Sequence, residues 1–474
     1  MTTQRIALGE WLPDQPSVVG TLQDAFNVIP IANGYAPFPL AVNYSNSASD
    51  TLNNVFAGRF NSNTQLFAGS SSKLYKFNAG TLNLDDVSKS GGYSGLRWKF
   101  TQFGETVIAA NNNAKLQSWT IGTSSAFADL AASAPVAKFV TTVRDFVVAA
   151  HLDGGTNANK VQWSDLNDET NWTSGAASQS DFQIIPDGGN ITGITGGEFG
   201  LVLMERAIVR MSYIGSPYFF QFDNISRGIG CIDGGSVAQY GGITYFLSDD
   251  GFYACDGQQL IPIGTEKVDR FFFSNANINQ IDTISAAADP VRKLVVWNYQ
   301  NANGGRSLLI YNWQIKKWSQ GDTTVDYIAP AATSGVTLEA LDSFGTVDSI
   351  GTSWDDRVWA GGKYLFAGVD GGRIITFTGS NSTANIIVGD TETSYNGVIN
   401  LVRAQVQNGS FNVAVASRRQ LQDPVTYGST IAASSEGRAP IRSAGRYHRF
   451  NLMPTNDWTN VLSIDIDYET QGNR

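Results

Sequence analysis

The sequence predicts an all-β protein: a β-propeller of six or seven irregular blades that carries a small β-sandwich platform. Three observations predict it. Charged residues make up only 16% of the 474 residues, whereas Gly reaches 49 copies and aromatics 11%. That mix suits tight turns and flat apolar faces better than helices, which are rich in Lys and Glu. Between about residues 55 and 379 short apolar runs alternate with Gly, Asn and Asp, and no helical period persists over several turns. The runs group into units recurring every ~30 to 55 residues, the spacing of propeller blades.

Taken in order, residues 1–50 come first. Pro13, Pro16, Pro30, Pro37 and Pro39 interrupt regular structure there, so the segment reads as an extended arm with little regular structure of its own, contributing to the platform. Residues 51–384 form the propeller, with units at 66–87, 98–121, 139–163, 191–222, 235–263, 284–318 and 358–377. The fifth unit shows the pattern. Runs at 235–240, 243–247, 252–255 and 259–263 are separated by Gly241-Gly242, Ser248-Asp249-Asp250-Gly251 and Asp256-Gly257, a four-stranded meander whose glycines supply positive φ at the hairpins. Radial packing is preferred over an open sandwich because it hides the edges and half-covered faces of such small sheets.

Residues 385–474 alternate cleanly, as in Val413-Ala414-Val415 and Ile464-Asp465-Ile466-Asp467-Tyr468, and read as a β-sandwich platform that strands of the N-terminal arm can complete. Arg418, Arg419, Arg438, Arg442, Arg446 and Arg449 outweigh Asp423 and Glu436 there, against the acidic trend of the chain. These six arginines are the candidate docking residues.

Composition and motifs exclude several functions. A net charge of -10 lacks the footprint of a protein that grips phosphates, although an acidic wall would let DNA slide past. No apolar run reaches the ~18 residues of a membrane span, and Met1-Thr2-Thr3-Gln4-Arg5 does not lead into a signal sequence. Folding in a cytoplasm is expected, with Cys231 and Cys255 as buried free thiols and a cross-strand disulfide as the minor alternative. Two histidines, His151 and His448, give little material for a metal site or a catalytic triad. His151 is expected in a loop and His448 at a surface or interface. The pairs Asp85-Asp86, Asp249-Asp250 and Asp355-Asp356 could serve a glycosidase by residue type, yet each sits in a turn that aspartate caps through local bonds. Asp165, Asn167, Asp168 and Glu169 are dense enough in oxygen to hold calcium, but the spacing is not that of an EF-hand, and a capped loop pinned by Trp163 and Trp172 is preferred. No catalytic residue, cofactor or metal is assigned.

The run Trp163-Ser164-Asp165-Leu166-Asn167-Asp168-Glu169-Thr170-Asn171-Trp172 resembles a signature of tail proteins from short-tailed bacteriophages and prophages. Stretches 205–211, 245–252 and 263–270 are similar to that family in order and spacing, and the likeness is strongest over about 160–319. It points to the tail nozzle, or packaged-DNA-stabilisation, proteins. The resemblance implies a non-enzymatic virion structural protein, made in the bacterial host cytoplasm, that assembles as a ring, a hexamer in that family. Such a ring docks on an upstream tail adaptor, adjoins a tail fibre, tailspike or needle, and forms the distal part of a channel that retains and then releases the genome without reading its sequence. It implies no membrane insertion and carries no catalytic residues over. The alternative is a propeller that binds or degrades carbohydrate, which requires carboxylates and arginines converging at one blade end.

Overall fold

The computed structural model describes residues 2–16, 21–61, 63–95, 97–334 and 361–470, with the side chains of 394–396 excepted. Strands dominate it, and the single α-helix among the described residues is Asp269–Asn275. Among the described residues six four-stranded antiparallel meanders follow one another, and a seventh four-stranded sheet completes the set. Blade 1 is Leu52–Phe60, Asn63–Ser70, Leu74–Phe77 and Leu84–Asp86; blade 2 is Lys99–Phe103, Thr106–Ala110, Gln117–Thr120 and Ala128–Asp129. Blade 3 is Ala137–Val143, Phe146–Leu152, Asn157–Trp163 and Asp181–Ile184; blade 4 is Ile191–Thr195, Gly200–Met204, Ala207–Gly215 and Phe219–Arg227. Blade 5 is Ala238–Tyr240, Ile243–Leu247, Phe252–Cys255 and Leu260–Pro262; blade 6 is Ser285–Asp289, Leu294–Gln300, Arg306–Asn312 and Lys317–Thr323. Blade 7 takes Tyr327–Ala332, Tyr364–Asp370 and Arg373–Thr376, and its outer strand, Val42–Asn43, comes from near the N-terminus.

Six of these sheets are separate, and the blade 6 meander continues into the platform. The first strand of blade 7 packs against those of blades 6 and 1, which closes the ring. The units expected from sequence at 66–87 through 284–318 each centre on one blade, but Gly235 and Ser236, read as the start of a strand, belong to a tight turn that precedes blade 5. Of the unit expected at 358–377, positions 358–360 lie outside the described residues.

Buried tryptophans hold the blades together, because each has a large apolar body and an N–H that must find an acceptor. Trp98, fully buried, donates to the Ser70 carbonyl of blade 1 at 2.7 Å. Its ring fills the space over Gly69, where a Cβ would lie 2.3 Å from the indole. Trp297 donates to the Ser236 carbonyl at 2.9 Å and Trp318 to the Ile263 carbonyl at 3.0 Å. Blade-to-blade contact is thus specified by indole bonds as well as by apolar area.

The platform grows from the outer edge of blade 6. Leu22–Phe26 meets Lys317–Thr323 in parallel through Phe26 and Gln320, and runs antiparallel to Asn385–Val388. From there the sheet continues through Ala439–Thr455, Thr391–Gln407 and Asn460–Thr470, with Ser410–Arg418 on the other edge of Ala439–Thr455. Ile399, Phe411, Val413, Phe450, Leu452, Ile464 and Ile466 fill its core together with Trp11 and Leu22 of the arm.

The expectation of an arm with little regular structure is corrected. It holds the strands Thr2–Ala7, Leu22–Phe26, Val28–Ile31, Gly34–Pro37 and Val42–Asn43. Thr2–Ala7 pairs in full register with Asn460–Thr470, from Thr2 opposite Tyr468 to Ala7 opposite Ser463. Asp14 then clips the arm to the helix, its carboxylate accepting the Arg270 and Phe271 N–H groups at 2.8 and 2.7 Å, as a helix-capping aspartate does.

Candidate functional site: the propeller hub and the platform arginines

The segment between blades 4 and 5 turns in to the axis. Asp233 is extended and accepts the Gly235 N–H at 2.6 Å, capping a single tight turn, Gly234–Ser236, whose residues are all buried. A Cβ on Gly234 would lie 2.2 Å from the Thr192 carbonyl and 2.7 Å from the Phe139 ring. One on Gly235 would lie 2.1 Å from the Ile284 carbonyl and 2.8 Å from Arg97 Nη1. Backbone from blade 4 and the segment entering blade 6, with side chains from blade 3 and just before blade 2, therefore converge on this turn, and only glycine fits. Ser236 fixes its end, donating to the Asp233 carbonyl at 2.7 Å and accepting the Leu247 N–H at 3.2 Å.

Two cations from the start of blade 2 reach this turn and the far side of the ring. Lys99 Nζ donates to the Gly234 carbonyl at 2.9 Å. Arg97 Nη1 donates to the Ile284 carbonyl at 2.7 Å, and its guanidinium lies 4.4 Å from the centre of the Tyr327 ring of blade 7. Neither has a carboxylate partner among the described residues. Burial, followed by the charge of Arg97, pushes the Lys99 ammonium down to about 7, and burial likewise lowers Arg97. Beside the turn is a cavity of about 160 Å³ whose walls include Lys99, Phe139, Thr141, Thr195, Gly234 and Gln239. Lys99 is its one charged wall residue.

The six platform arginines divide. Arg418 and Arg449 converge on one oxygen of Asp390 at 2.6 and 2.7 Å, with the three side chains 11%, 17% and 6% exposed. Both arginines are committed inside the platform, which corrects their place in an exposed docking set. The register makes the reason plain: Arg418 lies opposite Tyr447 and Ala416 opposite Arg449, which brings the two cations together beside Asp390. Arg446 bonds Glu392 at 2.7 Å and Arg438 bonds Glu436 at 3.3 Å, both in solvent. Arg419 and Arg442 are exposed, with no ion pair among the described residues.

His448 is fully buried rather than at a surface. Its Nδ1 is 2.7 Å from Ser417 Oγ and its Nε2 3.1 Å from Thr393 Oγ1, and burial pushes it down to about 4. The pairing of Ala439–Thr455 with Thr391–Gln407 is irregular between the Gly445 and Tyr447 pairs, and the buried positions of Ala439–Thr455 change phase there, from Gly445 to His448. His151 lies in the strand Phe146–Leu152 rather than a loop, at positive φ, with Nδ1 2.9 Å from the Ile191 carbonyl. Cys231 and Cys255 are buried free thiols, with Cys231 directed at the Asp233 carbonyl at 3.3 Å.

The loop between Trp163 and Trp172 is capped as expected. Asp165 Oδ1 accepts the N–H groups of Leu166 and Gln179, both at 2.8 Å, and its Oδ2 accepts from Asn171 at 3.0 Å. The two indoles donate to the Gln179 and Glu169 carbonyls. No group of three or more His, Cys, Asp or Glu among the described residues is arranged to hold a metal. Asp85 and Asp86 lie in the outer strand of blade 1 rather than in a turn, and bond Asn78 and Lys73, whereas Asp249 and Asp250 bond Ser248 and Tyr253. Asp355 and Asp356 lie outside the described residues. The sequence does not single out Arg97, Lys99 and Asp390, whose partners are remote in the chain, or Asp233, which caps a turn two residues on. Asp269, within the stretch 263–270, is buried at the start of the helix, accepts the Phe252 N–H at 3.1 Å and is pushed up to about 6 by that burial.

No family model and no curated protein matches the chain. Among solved structures it is similar to BamB from Moraxella catarrhalis (TM-score 0.38, 11% identity, 79% of this chain and 97% of that one). It is also similar to the Pan2 WD40 domain of Neurospora crassa (0.37, 9%, 63% and 90%) and to YCF48 bound to D1 peptide (0.37, 11%, 62% and 86%). The propeller assignment rests on the chain's own strand pairing, and among the described residues no helix is long and apolar enough to cross a membrane.

Proposed function

We propose that this chain is a structural subunit of a phage tail nozzle, working without catalysis as one member of a ring that continues a DNA channel. The observation that carries the reading is the filled hub. Gly234–Ser236, Lys99 and Arg97 occupy the propeller axis, so a duplex would pass between subunits of the ring and not through one propeller. A solid body fused to a platform through Leu22–Phe26 suits a scaffold, and the likeness over 160–319 supplies the tail context. The residues of that likeness cap loops and fill cores, as Trp163, Asp165 and Asp269 do.

Docking on the adaptor falls to Arg419 and Arg442, exposed and able to meet carboxylates in bidentate pairs. Ring closure uses heterologous contacts between neighbouring copies. Light scattering after size exclusion, on the chain mixed with its tail adaptor, is expected to give a multi-subunit complex seen as rings in negative stain. Replacing Arg419 and Arg442 together by Ala is expected to weaken that complex while changing monomer stability by only about 0.5 kcal/mol. A monomer that ignores the adaptor, with no density for the chain in virion tails, would overturn the proposal.

A further inference from the structure

We propose that the axial cavity of the propeller binds a small oxyanion, such as sulfate, phosphate or a small carboxylate, against the ammonium group of Lys99. The inference is independent of the nozzle reading. An ammonium has three donors, and the Gly234 carbonyl takes one of them. The others have no protein acceptor among the described residues, and the cavity that Lys99 lines also has Thr141 on its wall, beside Thr195, which is bonded to Thr244, and Gln239, which donates to the Gly196 carbonyl.

Charge decides the sign of the ligand. Arg97 and Lys138 both act on Lys99 as like charges, and the opposing carboxylate is Asp233, whose Oδ1 already accepts from Gly235. Arg97 Nε is buried without a hydrogen-bond partner. The hub of a chain with net charge -10 is thus locally cationic and short of anions, and a half-buried charge lacking a counter-charge is costly. A bound oxyanion supplies that counter-charge. Size decides the rest: about 160 Å³ holds several waters or one small oxyanion, and the buried turn Gly234–Ser236 lies directly against it.

Binding should be linked to a proton. The groups acting on Lys99 are Arg97, Lys138, Asp233 and the Cys231 thiol; burial pushes that thiol up to about 12, so it stays neutral. Lys99, held near 7, is the group that changes charge in the neutral range. Its charged fraction, and with it the affinity, should fall about tenfold between about pH 6 and about pH 8.

Sulfate is the probe, because its own charge is constant over that range. Calorimetric titration of the intact protein is expected to show one site, weakening about tenfold over the two pH units, with phosphate and acetate as parallel arms separating tetrahedral from planar anions. Lys99→Met should abolish sulfate binding while leaving the protein folded, since it removes a half-buried charge and keeps an unbranched side chain only one atom shorter. Sulfate binding unchanged in Lys99→Met, affinity independent of pH in the unmodified protein, or no binding at tens of millimolar sulfate would each overturn the proposal.

Discussion

Replacing Asp390 by Asn tests the energetic core of the platform. The carboxylate is 6% exposed, and one of its oxygens lies 2.6 Å from Arg418 and 2.7 Å from Arg449, themselves 11% and 17% exposed. These interactions outweigh its burial and hold it below the usual carboxylate range. Removing the negative partner of a buried ion group costs ~3–5 kcal/mol, because the cations left behind cannot recover their hydration. Here two cations would be stranded, with the Nε of each already lacking a hydrogen-bond partner. A loss of ~3 kcal/mol corresponds to more than a hundredfold in an opening equilibrium. Hydrogen exchange resolved by peptide should therefore show that loss of protection across Ser410–Arg418 and Ala439–Thr455, with blades 1 to 4 unaffected. Replacing all three residues by apolar ones of similar size should restore most of it. Protection within ~1 kcal/mol of the unmodified protein would refute the argument that the cluster is desolvated and mutually dependent.

Two further outcomes follow from the same packing. His448 stands near 4 in the folded chain against ~6.5 unfolded, so platform stability is full above ~6.5 and falls by about 1.4 kcal/mol per pH unit as pH drops towards 4; His448→Gln should flatten that slope in denaturation followed against pH, and an equal slope would contradict a buried neutral ring. Gly234→Ala should lower the melting temperature by overpacking the hub, at a cost of about 1–3 kcal/mol, since the new methyl meets the Thr192 carbonyl and the Phe139 ring; an unchanged melting temperature would mean that the turn does not fill the axis.

The blades were readable because their information is local. Hairpin glycines and alternating runs lie within a few residues of their partners, so Gly241-Gly242 between two strands specifies a turn without knowledge of the rest. The platform was only partly readable, because Thr2–Ala7 pairs with residues more than 450 positions away, and no local pattern announces such a partner. The arginine cluster misled for the same reason. Arg418 and Arg449 look like surplus charge along the chain, and only pairing of distant strands reveals that Asp390 stands between them. His448 misled because the buried face of its strand changes phase between Gly445 and His448, opposite an irregular stretch of a distant strand. The hub was hidden from sequence altogether, since Lys99 is an ordinary strand lysine until the ring closes around it.

The weaving of both chain ends into one sheet sets an order of events during synthesis. Blade 7 borrows Val42–Asn43, made early, for a sheet whose other strands are made late, and Thr2–Ala7 must await Asn460–Thr470. Blades 1 to 6 are built from contiguous stretches and can form as the ribosome delivers them, the earliest first. The ring of blades can be sealed only after Arg373–Thr376 has emerged, and the platform only after Asn460–Thr470. Until then Thr2–Ala7 and Val42–Asn43 stand without their partners, so the closed ring of blades and the completed platform come into being late and together.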